Sequence, residues 1–121
     1  MCKSYFQSMQ DANNVGLMLL DSVAKFKLRA ISNDIGARAY LKAYSSTRGI
    51  LTHPGTNFSI DSQLSCLVDL RYKANEIPST FSNIISGKKN YYLMAVNDAI
   101  DIVLSMDRRF VRLTREEPSE N

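Results

Sequence analysis

Seven apolar residues toward the C-terminal end of the chain recur at intervals of three and four: Tyr92, Val96, Ala99, Val103, Met106, Phe110 and Leu113. That spacing lines up one face of an α-helix, whereas a strand would scatter the same residues over both faces of a sheet. Asn97, Asp98, Asp101, Asp107 and Arg108 fall mostly on the other arc. The segment from Lys89 to about Thr114 is therefore predicted to be an amphipathic helix with its aspartates toward solvent.

Three further segments follow the same rule. Ala12, Val15, Leu19, Val23, Phe26 and Ala30 share one face of a first helix that stops near Ala30. Ser32-Asn33-Asp34 then supplies N-capping side chains for a second helix, whose face carries Ala37, Leu41, Tyr44 and Leu51, with Ile35 and Ala39 beside it. His53-Pro54-Gly55-Thr56-Asn57 is the clearest loop in the chain. After it, Ile60, Leu64, Leu67, Leu70, Ala74, Ile77, Phe81 and Ile84 form a third stripe, capped by Ser59 or Asp61 and closed by Ser86-Gly87. Gly87 is suited to a left-handed C-terminal cap. Pro78 interrupts this stripe without changing its phase, so a kink is expected there rather than a break.

A one-sided helix is not stable alone in water, so four such stripes must close on one another. The expected fold is all-α, an up-down-up-down four-helix bundle, in a single domain over residues 1–121. About ten N-terminal residues and the tail 115–121 are expected to fray. Five Gly and three Pro in 121 residues are too few for a fold of many short strands. The longest apolar run, Val15 to Leu20, is far short of the roughly 20 residues a membrane span needs. The N-terminus lacks the apolar core of a signal peptide.

Few residues of the chain are arranged for chemistry. His53 stands alone in the loop, with no second histidine and no ligand-spaced cysteine or carboxylate beside it. Cys2 lies at the N-terminus, and Cys66 reads as a small core residue with no basic partner to activate it. Asp98 and Asp101 are three apart but read as solvent-facing, and the Glu-x-x-His of bundle di-metal sites is absent. Gly87-Lys88-Lys89 is not a phosphate loop, because it has neither the upstream glycine nor the following Ser or Thr. No catalytic residue, cofactor or metal ligand is assigned, and the expected class is non-catalytic. What remains is charge. Lys88 and Lys89 open the last helix, and Arg108, Arg109, Arg112 and Arg115 lie near its end, where cations also oppose the helix dipole. Tyr91 is taken as the outward member of the Tyr91-Tyr92 pair and Tyr92 as core. Lys88, Lys89, Tyr91, Arg108, Arg109 and Arg112 are thus the candidate partner-docking residues. A net charge of +3 is low for a nucleic-acid binder, and the aspartates of the last helix would repel phosphates.

Asn33-Asp34-Ile35 followed by Arg38-Ala39-Tyr40-Leu41 resembles the start of the second bundle helix in the PsbQ-like family. Tyr91-Tyr92, then Val96, Ile100, Asp101, Val103 and Leu104, resembles that family's final helix. The similarity spans roughly residues 12 to 106. Two features depart from it: the Trp-Pro pair of plant members is replaced by Phe26-Lys27-Leu28-Arg29 in a chain without tryptophan, and Pro78 falls inside the third helix. The resemblance implies a four-helix extrinsic subunit of the chloroplast thylakoid lumen, peripheral to the membrane, with its presequence removed. It would dock on the lumenal face of photosystem II and stabilise the oxygen-evolving complex, or serve as a PsbQ-like subunit of the chloroplast NDH complex. It implies neither a small-molecule substrate nor nucleic acid as partner. Two readings outside the family are an unrelated helical binding or regulatory module, and a small enzyme whose site forms between subunits.

Overall fold

A computed structural model describes the backbone of residues 5–52 and 59–116, and side chains within 10–52 and 59–106. Among the described residues there are five α-helices and one short 3-10 turn, with no strand: α1 (Tyr5–Ala30), α2 (Asp34–Thr52), α3 (Ile60–Lys73), the turn Ala74–Glu76, α4 (Phe81–Ser86) and α5 (Lys88–Glu116). The fold is an all-α bundle. The His53 loop, Cys2 and the tail beyond Glu116 lie outside the described residues, as do the side chains of Phe110 and Leu113.

Local chemistry sets most helix ends. α1 stops at Ala30. Asn33 caps α2, its Oδ1 accepting from the Gly36 N–H at 2.6 Å, while its Nδ2 donates to the Ser86 carbonyl at 3.1 Å. One side chain thus starts α2 and ties it to the end of α4. Ser59 caps α3 by accepting from the Ser62 N–H at 3.1 Å. Gly87 ends α4 at φ 69°, a left-handed conformation that costs other residues about 1 kcal/mol or more.

Pro78 breaks the third helical stripe instead of kinking it. A proline ring clashes with an α-helical residue before it, and Ile77 accordingly sits at φ −68°, ψ 118°. α3 has already ended at Lys73 and tightened into the 3-10 turn. Thr80 then offers a fresh N-cap, its hydroxyl accepting from the Asn83 N–H at 3.2 Å, and the Asn83 amide donates to the Pro78 carbonyl at 2.8 Å. The single predicted helix is therefore two helices with a turn between them.

α5 is the hub of the bundle, packing most extensively against α2 and flanked by α1 and α3. Its Ala95, Val96, Ala99, Ile102, Val103 and Met106 are buried. Facing them are Ala12, Leu20 and Ala24 of α1, Tyr40, Ala43 and Leu51 of α2, and Ile60, Leu67 and Leu70 of α3. Each fully buried large side chain stabilises by about 1.5–3 kcal/mol relative to exposure. The predicted faces of α3 and α5 are largely correct. In α1 the inward residues are Ala12, Gly16, Leu20 and Ala24, spaced by four, and the predicted Val15, Leu19 and Phe26 face out. In α2 Leu41 likewise turns out, and Gly36, Ala39, Tyr40, Ala43 and Thr47 turn in. Cys66 is exposed rather than part of the core.

Among the described residues α1 and α3 make no close backbone approach, and a chain of amides bridges them. Gln63 Nε2 donates to Asn13 Oδ1 at 2.9 Å, and Asn13 Nδ2 donates to the Leu51 carbonyl at 2.5 Å. Both amides are buried. Truncating Asn13 to alanine strands a carbonyl and an amide inside the bundle, so Asn13→Ala is expected to lower unfolding stability by about 2 kcal/mol or more. A urea titration leaving the midpoint unchanged would contradict this role.

Two glycines mark close approaches. A methyl group at Gly36 would lie 2.6 Å from Cδ2 of Tyr91, a rigid ring, whereas one at Gly16 would press on the flexible thioether of Met106. Gly36→Ala is expected to cost about 1–3 kcal/mol through overpacking. Gly16→Ala should come within about 1 kcal/mol of neutral, since helix propensity offsets the strain. Thermal melts of the two variants test the order, and equal shifts would refute it.

Candidate docking site

Two polar clusters join the helices. Lys27 of α1 holds both carboxylate oxygens of Asp98 of α5 at 2.7 Å, and the Tyr40 hydroxyl of α2 donates to the same carboxylate at 3.4 Å. Asp98 is therefore half-buried and ion-paired, not solvent-facing as its place on the helical wheel suggests; Asp101 is exposed. In the second cluster the Tyr44 hydroxyl donates to Asp21 at 2.5 Å and Arg48 Nε reaches the same oxygen at 3.1 Å.

Neither tyrosine is poised as a general base. Burial, then the Asp98 charge, pushes the Tyr40 hydroxyl well above the ordinary tyrosine range. Burial, then the Asp21 hydrogen bond, raises Tyr44 as well. A general base at neutral pH needs the opposite displacement. Tyr40 stays protonated and acts as a donor that holds α2 to α5. Among the described residues no three His, Cys, Asp or Glu side chains gather to hold a metal ion. Nor is any described helix long and apolar enough to cross a membrane.

The candidate docking residues stand toward the two ends of α5. Lys88 and Lys89 start α5, while Arg108, Arg109 and Arg112 lie near its far end, about 30 Å away at 1.5 Å per residue. The side chains of those arginines, and of Arg115, lie outside the described residues. Lys89 is exposed and Lys88 half-buried. Tyr91 does not turn outward. It is half-buried against the core, as Tyr92 is, and its ring lies over Gly36 and Gly87.

A different set of side chains does converge beside the two lysines. α4 carries Phe81, Ile84 and Ile85 at spacings of three and one, which puts them on one side of a single turn. They are 79%, 66% and 68% exposed. Ile84 and Lys89 line one open cleft together with Ile77, Pro78, Ser79, Asn83, Gly87 and Asn90. The periodicity of the third stripe hides this face, because Phe81 and Ile84 continue it in phase and read as core. Pro78 was the available signal: once the helix breaks there, nothing obliges the residues beyond it to share the face before it.

The tyrosines give the bundle a predictable response to alkali. Tyr40, Tyr44 and Tyr92 all bind their protons more tightly when folded, Tyr92 through burial and then the Glu76 charge. Above the ordinary tyrosine value of 10.0 the unfolded chain releases protons that the folded chain keeps, which favours unfolding. Unfolding stability from urea titrations is expected to hold below about pH 9 and to fall above about pH 10, by at most about 1.4 kcal/mol per pH unit for Tyr40 and by less for Tyr44 and Tyr92, whose exposure screens the effect. Tyr40→Phe should flatten the fall, and a midpoint steady to about pH 12 would contradict the assignment.

Comparison with protein-family models, with curated proteins and with solved structures finds no match to this chain, so the reading of its function rests on the geometry and the residue patterns above.

Proposed function

We propose that this chain is a non-catalytic helical module that docks on a larger partner through the corner formed by the 3-10 turn, α4 and the first turn of α5. One observation carries the reading: Phe81, Ile84 and Ile85 face solvent beside Lys89 on an element that is otherwise well capped. Exposed apolar clusters mark interaction sites, and no other three neighbouring large apolar side chains among the described residues are each as exposed as these. The Asn33–Ser86 and Asn83–Pro78 hydrogen bonds hold this corner in place, so α4 is fixed outward rather than waiting to fold in.

The narrower form of the proposal follows from the PsbQ-like resemblance. It makes the chain an extrinsic subunit of the thylakoid lumen, docked on photosystem II near the oxygen-evolving complex or on the chloroplast NDH complex. The helical architecture and the absence of a membrane-spanning helix among the described residues support it. The break at Pro78 and the missing tryptophan set the chain apart from plant members.

The test is fractionation of native extracts with a photo-crosslinking residue at position 81 and, as a control, at Lys42 on the exposed face of α2. The chain should co-migrate with a large assembly, cross-link from position 81 and not 42, and come off as salt screens the lysines over about 8 Å. Equal cross-linking from both positions would refute the docking corner. So would retention in high salt with release at low ionic strength. The identity of the assembly decides between photosystem II, the NDH complex and an unrelated partner.

A further inference from the structure

The docking corner has a chemical character that narrows what it meets. From Arg71 to Asn90 the sequence holds four cations, Arg71, Lys73, Lys88 and Lys89, against a single acid, Glu76. That is a local excess equal to the net +3 of the whole chain. Arg71, Lys73 and Lys89 are exposed, and so is Tyr72. Within the same stretch stand the three outward side chains of α4. Apolar side chains that project from a short capped helix, flanked by lysines, match the interface of a bilayer. Rings and branched chains enter the boundary of the acyl region while ammonium groups stay among the headgroups. Anionic headgroups supply the complementary charge.

We propose that the α4 corner binds an anionic lipid surface, with Phe81, Ile84 and Ile85 inserting and Lys88 and Lys89 pairing with headgroup phosphates. This rests on the docking reading above and names the occupant of that same face. An acidic protein surface is the other occupant that the charge would accept, but of the α4 triad only Ile84 lines the adjoining cleft, while Phe81 and Ile85 are not among its walls and offer no groove to seat a helix. The cleft beside it is open and has polar residues among its walls, Ser79, Asn83 and Asn90. Phe26 of α1 is as exposed as the α4 residues at 76%, but it has no part in the corner and serves as a control.

The chain has no tryptophan, so Phe81→Trp introduces its single indole at the proposed point of insertion, which can be excited apart from the six tyrosines. The full-length variant is mixed with vesicles of phosphatidylcholine alone, and with vesicles of phosphatidylcholine and phosphatidylglycerol. Emission should shift to the blue with the anionic vesicles only, and the shift should fade as salt is added. In co-sedimentation, Lys88→Gln with Lys89→Gln should weaken partitioning roughly thirtyfold, at about 1 kcal/mol per lysine near the surface. Ile84→Ser with Ile85→Ser should reduce it to background while circular dichroism and the melting temperature hold, because both side chains are already solvated. Phe26→Ser should leave partitioning unchanged.

Equal binding to neutral and anionic vesicles would overturn the proposal. An equal loss from Phe26→Ser would do the same, since it would show general stickiness. Indifference to every vesicle, with cross-linking from position 81 to a protein intact, would remove the lipid and leave the docking reading standing. Loss of both signals would remove both.

Discussion

The close approach of α5 to its neighbours is the constraint on which the rest of the structure depends. Small residues line the contacts: Ala95 and Ala99 on α5, Gly36, Ala39 and Ala43 on α2, and Ala12, Gly16 and Ala24 on α1. Where side chains are this short, helix backbones come near enough for the few large residues between them, Tyr40, Leu20, Leu51, Leu67 and Met106, to be sealed from water. Bulk against a rigid neighbour, as at Gly36 under the Tyr91 ring, would push an element outward, whereas at Gly16 the flexible Met106 side chain can give way. The seam also explains why α5, with a helix on each side of it, carries the most regular apolar face in the chain.

Hydrophobic contact is indifferent to small shifts along a helix, so the register is held by polar ties. Lys27, Asp98 and Tyr40 link α1, α5 and α2 at one level, and Asn13, Gln63 and Leu51 link α1, α3 and α2 at another. Such groups add modestly to stability when paired and cost heavily when one partner is lost. They select one arrangement of helices that greasy faces alone would leave loose. Asn33 does the same for α4, since a single amide side chain begins α2 and anchors the carbonyl end of the short helix.

That anchoring is what joins the fold to its proposed role. A helix as short as α4 has little stability of its own, and it persists because Thr80 caps one end, Gly87 the other, and Asn33 fastens it to the bundle. With both ends spoken for, its three large apolar side chains are presented outward in a fixed geometry. Lys89 shares the adjoining cleft, so charge and apolar surface meet at one corner rather than being spread along α5.

The sequence by itself determined that the chain is helical, where most helices begin and end, and which face of α5 is buried. Those properties are local: intervals of three and four, an Asn or Ser before a helix, a Gly after one. It did not determine the inward face of α1, where Val15, Leu19 and Phe26 compete with Ala12, Gly16, Leu20 and Ala24. Both stripes are apolar enough to be core, and only the tight spacing against α5 selects the smaller residues. Nor did it place Asp98, whose solvent-facing position on one helix turns into an ion pair once Lys27 arrives from another. The outward turn of Phe81 and Ile84 was likewise a tertiary decision. Periodicity carries phase along an unbroken helix, and at Pro78 the backbone leaves the helix, so the phase beyond it is set by whatever α4 packs against.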